Sequence, residues 1–252
     1  MKRFFINLVV VTICVIIVSA LGVSQTKLGI RGGLNLANIN EDFGGTDTFD
    51  FEGSTFLQTV TQSDRNCFNL GGFIEYWFSP KFALQINALY NQKGFALEGD
   101  VSGTVIEQGN SIEITIEIDE TIKLSYLSFP VLAKAPFGDW DFKPYILAGP
   151  EFGFLLSATD YAKVKSQAES NGEVVGPFTE EIDEDIIEML DSFEFAIDFG
   201  GGFSYAFGNI EVFADFIYSL GLTTISTERF MEEEELKNRS IMINLGAIYS
   251  LN

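Results

Sequence analysis

The sequence predicts an all-β fold, an eight-stranded antiparallel up-and-down β-barrel. Three observations lead to this prediction: eight stretches with apolar residues at every second position, connections that alternate between short and long, and a second parity rich in Gly, Ser and Asn. Side chains of a strand point alternately to the two faces of a sheet, so each stretch is a strand with one apolar and one polar face. An even number of strands also brings both chain ends to the same end of the barrel.

The first two predicted strands span residues 28–38 and 67–79. In the first strand, leucine and isoleucine side chains alternate with Arg31 and Asn35, and in the second, aliphatic and aromatic side chains alternate with Glu75. Each strand therefore has one face for apolar and one face for polar surroundings.

The third and fourth predicted strands span residues 82–97 and 120–137. A tight turn at Ser79-Pro80-Lys81 leads into the third strand. The fourth changes the parity of its apolar residues half-way, which predicts a β-bulge near residues 125–127. Pro130 has no N–H to donate to a neighbouring strand and fits the same irregularity.

The last four predicted strands span residues 142–157, 193–207, 210–223 and 240–251. The sixth is the clearest, because large apolar residues occupy one parity while Gly, Ser and acidic residues occupy the other. Gly208-Asn209 makes a short hairpin connection into the seventh strand.

The connections between the strands divide into two classes. Three have two to four residues, whereas residues 39–66, 98–119, 158–192 and 224–239 form long connections. All the long connections then lie at one end of the barrel. A transmembrane barrel has this asymmetry, with short periplasmic turns and long extracellular loops.

The volume of the barrel predicts which face points outward. An eight-stranded barrel has room inside for side chains or one small ligand. A soluble, lipocalin-like barrel would turn the apolar face inward, and the phenylalanine-rich face of residues 193–207, together with the seven comparable faces, would overfill the interior. We therefore expect the apolar face to contact lipid and the polar face to line a packed, hydrated lumen.

The N-terminus predicts export. Lys2 and Arg3 precede an apolar run over residues 4–18, and Gly22 and Ser24 are small residues suited to cleavage before Gln25. A retained membrane anchor is the alternative, but a span needs about 20 residues. We expect a cleaved signal peptide at residues 1–24, a barrel domain at residues 25–252, and delivery to the outer membrane of a bacterial cell.

Composition excludes several functions. The chain has 15 Lys and Arg against 36 Asp and Glu, so nucleic acid is not an expected partner. It has no histidine, which removes most metal sites and every catalytic arrangement that pairs a nucleophile with histidine. We expect no cofactor, no metal and no catalytic residue.

Four motifs, in order, resemble the PorT-like outer-membrane β-barrel family of Bacteroidetes. They are residues 28–35 (LGIRGGLN), 88–94 (ALYNQKG), 126–130 (YLSFP) and 143–150 (KPYILAGP), and the resemblance covers residues 25–252. It implies an eight-stranded outer-membrane barrel. The family takes its name from a member tied to type IX secretion, so the resemblance also implies an accessory role in protein secretion.

The resemblance implies partners but no active site. The implied partners are outer-membrane lipid, the barrel-assembly machinery, and envelope or secretion proteins. The chain departs from many outer-membrane barrels in ending on Tyr249-Ser250-Leu251-Asn252, without a terminal aromatic residue. Tyr249 is the candidate substitute for that signal.

The lumenal parity carries a candidate charge network. It consists of Arg31, Glu75, Lys134, Glu151, Glu194, Asp198, Glu211 and Asp215. Buried charges must pair or stay hydrated, so the structural interpretation is that the two cations neutralise neighbouring carboxylates. The functional alternative is a path for protons or cations.

The long connections offer a candidate interaction site. Alternating isoleucines extend the hairpin of the fourth strand above the membrane, where an exposed edge would pair with a strand of another chain. These residues are Ile112, Ile114, Ile116 and Ile118. Acidic runs at residues 180–185 and 232–235 predict solvated charge, and residues 182–190 predict a short amphipathic helix.

We therefore expect a non-enzymatic outer-membrane barrel with a structural or interaction role that its extracellular loops perform. A pore for small solutes or ions is one alternative. The other is a hydrolase embedded in the barrel that uses lumenal carboxylates.

Overall fold

The computed structural model describes residues 26–51, 53–107, 110–138, 142–170, 172–225 and 235–251. The predicted signal peptide, residues 1–24, lies outside these ranges. The described ranges form ten antiparallel strands and a turn of 3-10 helix at Ile187–Met189. The strands are β1 (Thr26–Ile39), β2 (Gly45–Phe51), β3 (Ser54–Ser79), β4 (Phe82–Glu107), β5 (Asn110–Pro136), β6 (Phe142–Ser170), β7 (Glu173–Asp185), β8 (Phe193–Phe207), β9 (Ile210–Gly221) and β10 (Asn238–Ser250).

Eight of these strands close into a barrel, which confirms the predicted fold class. The order around the wall is β1, β10, β9, β8, β6, β5, β4 and β3, and β3 pairs with β1 again. Closure satisfies the backbone N–H and C=O groups of the wall, as a segment immersed in lipid requires. In the described part of the chain, no helix is long and apolar enough to cross a membrane.

The two faces of the wall separate as predicted. On the outer face, Ile30 is 67% exposed and Leu34 is 61% exposed, whereas Glu75 and Asp198 on the inner face are 0% exposed. The apolar side chains therefore point away from the lumen and the charged ones point into it. We call the end with the three tight connections the turn end, and the opposite end the extended end.

Four strands continue far beyond their predicted ends. β3, β4, β5 and β6 run on at the extended end, and β2 and β7 join their outer sides. The result is a six-stranded antiparallel sheet in the order β2-β3-β4-β5-β6-β7, which we call the projecting sheet. Most of residues 39–66, 98–119 and 158–192, which we predicted as long connections, are therefore strand, and the predicted extension of the fourth strand's hairpin through residues 112–118 is confirmed.

The projecting sheet corrects two predictions. The isoleucines Ile112, Ile114, Ile116 and Ile118 do not form an edge, because β5 pairs with β4 on one side and with the lengthened β6 on the other. The edges are β2 and β7. The predicted helix at residues 182–190 is confirmed only as the 3-10 turn at Ile187–Met189, since β6 supplies strand hydrogen bonds to the chain as far as Asp185.

The irregularity predicted near residues 125–127 exists, but its cause differs. The register between β5 and β6 shifts from Ser125↔Ser157 to Tyr126↔Leu155, so the additional residue is Leu156 of β6. β5 itself keeps its parity. The apolar residues of β5 change face because the wall leaves the membrane at this level: towards the turn end they point outward, and towards the extended end they point inward.

The inward-pointing residues at the extended end form an apolar layer that we call the outer core. It brings together the barrel wall, the segment before β8 and the segment before β10. Its buried members are Ile39, Phe95, Ile122, Leu124, Tyr126, Ala158, Ile186, Ile225 and Leu236.

Candidate functional site

The lumen near the turn end contains balanced ion pairs. Arg31 Nη2 lies 2.8 Å from Asp215 Oδ2, and Lys134 Nζ lies 2.9 Å from Glu75 Oε2; all four side chains are buried. Close to the turn end itself, Lys27 and Glu211 form a third ion pair, with 2.8 Å between the Lys27 Nζ and Glu211 Oε2 atoms. Lys27 was not among the predicted network residues, because it precedes the predicted start of the first strand.

Apolar and aromatic side chains pack around these pairs. The Arg31 guanidinium carbon lies 5.3 Å from the centre of the Phe73 ring and 5.5 Å from that of Phe213. Tyr145 donates its hydroxyl hydrogen to Asp215 over 3.2 Å. The buried apolar members of this layer are Phe73, Leu132, Tyr145, Leu147, Phe213, Ile217, Met242 and Ile248. This part of the lumen is therefore filled by side chains.

A second charged layer lies between these pairs and the outer core, and we call it the upper cluster. Lys93 Nζ lies 3.0 Å from Glu151 Oε1 and 2.9 Å from Glu194 Oε2, and Asp198 completes the layer. Ser128 also donates to Glu151, over 2.9 Å. One lysine therefore faces three buried carboxyl groups.

The pairing of β6 with β8 places the three carboxyl groups in a zigzag. Glu151 is opposite Ala196, while Glu194 and Asp198, two positions to either side on β8, are opposite glycines. Diagonal neighbours across an antiparallel pair are within reach of long side chains. The small residues leave Glu151 the space to meet both carboxyl groups of β8.

The predicted residues lie on the lumenal face, but they do not form the single network that we predicted from the sequence. They are Arg31, Glu75, Lys134, Glu151, Glu194, Asp198, Glu211 and Asp215. The structure separates them into the turn-end pairs and the upper cluster. It also adds Lys93, which lies two residues after Asn91 on the polar parity of the third predicted strand. Extending that parity by one step would have found it.

The projecting sheet has one polar face and one that we call the apolar face, which is apolar along its centre and carries Glu173, Glu180 and Glu184 on β7. The apolar face continues the lumenal face of the wall, and its central row runs through Phe49, Phe56, Gly103, Ile114, Ala168 and Val175. The Phe56 ring covers Gly103 so closely that a Cβ atom there would clash with the ring. The polar face carries ion pairs such as Lys165–Glu117 and Lys163–Glu181, both at 3.0 Å.

Residues 23–226 match the family model described as an outer membrane protein beta-barrel domain. The chain belongs to this family of outer-membrane β-barrel proteins. It is an outer-membrane protein, its turn end is periplasmic, and the projecting sheet is extracellular.

Several solved outer-membrane barrels resemble the chain. Neisserial surface protein A has 11% identity and a TM-score of 0.39, with 91% of this chain and 99% of that chain covered. Ail, the attachment invasion locus protein of Yersinia pestis, has 14% identity and a TM-score of 0.35, with 89% and 99% covered. OprG from Pseudomonas aeruginosa has 14% identity and a TM-score of 0.29, with 90% and 98% covered. No curated protein sequence matches the chain.

The edges of the extracellular sheet are acidic. β7 contains six Asp or Glu residues and no Lys or Arg. Burial raises the pKa of the Glu120 carboxyl group on β5, and the nearby Asp160 carboxylate raises it further. Burial likewise raises the pKa of Asp160 on β6, where Glu184 of β7 adds repulsion.

The described residues contain no group of three or more Cys, Asp or Glu side chains arranged to hold a metal ion. In the upper cluster, the Lys93 ammonium group lies between two of the carboxyl groups. The arrangement can hold positive charge as an ammonium group or as protons.

Proposed function

We propose that this protein is a non-enzymatic outer-membrane component whose projecting sheet binds another protein at the cell surface. The observation that supports this proposal is the apolar face of that sheet. β5 makes its contacts with its sheet neighbours β4 and β6, and Ile112, Ile114, Ile116 and Ile118 stay half-buried.

The exposure of the outer strands strengthens the proposal. On the apolar face, Val175 is 56% exposed, Phe178 is 64% exposed and Phe51 is 60% exposed. Lipid does not cover these side chains, because they lie beyond the level at which the wall leaves the membrane. Soluble surfaces with large contiguous apolar patches are usually binding sites for proteins or ligands.

The proposed family subgroup, the role in secretion, the export signal and the partners rest on the sequence. The four motifs at residues 28–35, 88–94, 126–130 and 143–150 support membership of the PorT-like group of Bacteroidetes and an accessory role in protein secretion. The N-terminal segment supports export by a cleaved signal peptide. We propose outer-membrane lipid, the barrel-assembly machinery, and an envelope or secretion protein as partners.

The packing of the lumen argues against the alternatives. A conducting path would have to pass the turn-end pairs, the upper cluster and the outer core, in which side chains are buried. A substrate for lumenal carboxylates would have to displace the same layers. We therefore favour neither a pore nor a hydrolase.

Two neighbouring valines provide a matched test of the proposal. Val174 and Val175 are 53% and 56% exposed, but Val174 pairs with Glu169 on the polar face and Val175 pairs with Ala168 on the apolar face. A photo-crosslinking residue at position 175 should capture a partner in intact cells, and one at position 174 should not. Ile114→Glu, on the same row as Val175, should abolish the capture.

Equal capture from both positions, or capture from position 174 alone, would refute the apolar face as the binding surface. Surface expression is the control, and both variants should show the heat-modifiable mobility of a folded barrel. Deleting the gene and measuring exported proteins then tests the proposed role in secretion separately.

A further inference from the structure

We propose that Glu151 and Asp198 hold one proton between them, so that the upper cluster is a proton-binding site inside the barrel wall. This proposal is independent of the proposed binding function, since it concerns the lumen alone. It starts from a mismatch in the upper cluster, where one ammonium group faces three carboxyl groups.

Asp198 is the carboxyl group of the upper cluster that lacks a bond to the ammonium group. Lys93 bonds to Glu151 and to Glu194, and Asp198 has no bond to it. Asp198 is 0% exposed, and neither of its carboxyl oxygens has a hydrogen-bond donor in the described part of the chain. The Ser219 hydroxyl adjoins Asp198 but is also without a hydrogen-bond partner of good geometry.

A second neighbour within hydrogen-bonding reach of Asp198 is another carboxyl group. The side chain of Glu151 meets that of Asp198, and Glu151 Oε2 is itself buried without a donor. Two carboxylates in contact away from water repel each other, and each also loses the hydration that an ionised group needs. Both problems end when one carboxylate takes up a proton, because the resulting O–H donates to the other carboxylate.

Atoms and charge balance when the Glu151–Asp198 pair takes up a proton. A carboxylate and a proton from water form a carboxyl group, and the pair then carries one negative charge where it would otherwise carry two. The net charge of Lys93, Glu151, Glu194 and Asp198 changes from −2 to −1, which lowers the cost of burying the cluster. Coupled groups of this kind bind the proton as a pair, so the site belongs to both residues.

The other surrounding elements supply little positive charge. β4 contributes Lys93, β5 contributes Tyr126 and β8 contributes Glu194, while the β9 and β10 residues Ser219 and Asn238 are uncharged. Towards the turn end, Arg31 is engaged by Asp215 and Lys134 is engaged by Glu75. A metal ion is not an alternative that the geometry favours, since no group of three or more carboxyl or thiol side chains in the described ranges is placed to hold one.

Two aspartate variants distinguish this site from an ordinary buried ion pair. Asp198→Asn supplies an N–H donor to Glu151 in place of the proton, so its melting temperature in detergent micelles should equal or exceed that of the wild type at neutral pH. Asp215→Asn, the matched control, removes the charge that neutralises Arg31 and should lower the melting temperature. The mature full-length chain is used throughout.

Infrared difference spectroscopy provides the direct observation. The wild-type protein at neutral pH should show the C=O stretch of a protonated carboxyl group, and this band should remain in Asp215→Asn and disappear in Asp198→Asn. Absence of the band from the wild-type protein would overturn the proposal, even if a variant fails to fold. A melting temperature that drops as far in Asp198→Asn as in Asp215→Asn would also overturn it. The proposal would also be overturned if the band were absent and sodium or calcium ions stabilised the protein at fixed pH.

Discussion

Lys93 provides the sharpest test of how the lumen is held together. The Lys93→Met variant keeps most of the side-chain volume but removes the ammonium group that bonds to both Glu151 and Glu194. Both carboxylates then remain buried, at 0% and 1% exposure, without their cation. Removing one partner of a buried ion pair costs about 3–5 kcal/mol. We therefore expect the free energy of unfolding to fall by about that amount in Lys93→Met.

Lys165→Met provides the matched control. Lys165 forms an ion pair with Glu117 at 3.0 Å, the same distance as that from Lys93 to Glu151, but these two side chains are 39% and 51% exposed. Exposed pairs contribute about 0–1 kcal/mol, because water screens the charges. The same substitution at the same distance should therefore have a much smaller effect on the extracellular pair.

Urea unfolding in lipid vesicles measures both variants. Tryptophan fluorescence reports the transition, since Trp77 lies in the lumen near the turn end, 5.9 Å from Lys134 Nζ. Equal losses for Lys93→Met and Lys165→Met would refute the reasoning, because burial would then have no influence on the value of the pair. No loss in either variant would mean that water reaches the upper cluster freely.

The remaining predictions concern pH and conductance. The raised pKa values of Glu120 and Asp160 mean that the folded sheet binds protons more tightly than the unfolded chain, so its stability should rise as the pH falls towards the ordinary carboxyl range. Asp160→Asn should stabilise β6 at neutral pH and reduce that pH dependence, measured by hydrogen exchange corrected for its intrinsic rate; an unchanged pH profile would contradict the assignment. In planar bilayers the protein should pass little current, and large stable single-channel currents would show that the lumen is open.

The part of the fold inside the membrane could be predicted from the sequence because lipid imposes a strict rule. Every outward position at that level must be apolar, so the alternation in residues 193–207 and 210–221 gives both the strand and its orientation. The structure confirms the eight strands, the tight turns at residues 80–81 and 208–209, and the outward phenylalanines, while residues 139–141 of the third turn lie outside the described ranges. The change of parity in the fourth predicted strand also lies at the register shift between β5 and β6 at Ser125/Tyr126.

The projecting sheet could not be predicted in the same way, because no lipid constrains it. β2 and β7 are exposed along their whole length, and their Thr-, Asp- and Glu-rich sequences are typical of loops. Their strand conformation comes from pairing with β3 and β6, which a single strand's sequence does not reveal. The zigzag of Glu151, Glu194 and Asp198 likewise depends on the register between β6 and β8.

The continuity of β3, β4, β5 and β6 has a consequence for the binding that we propose at the cell surface. Each of these strands runs without interruption for 26 to 29 residues, from the periplasmic turns to the extracellular sheet. In the described ranges no loop interrupts these four strands, so the tilt and height of the projecting sheet relative to the barrel wall are fixed. A protein bound there, as we propose, would find a surface with little orientational freedom left to lose, which favours tighter association for a given contact area.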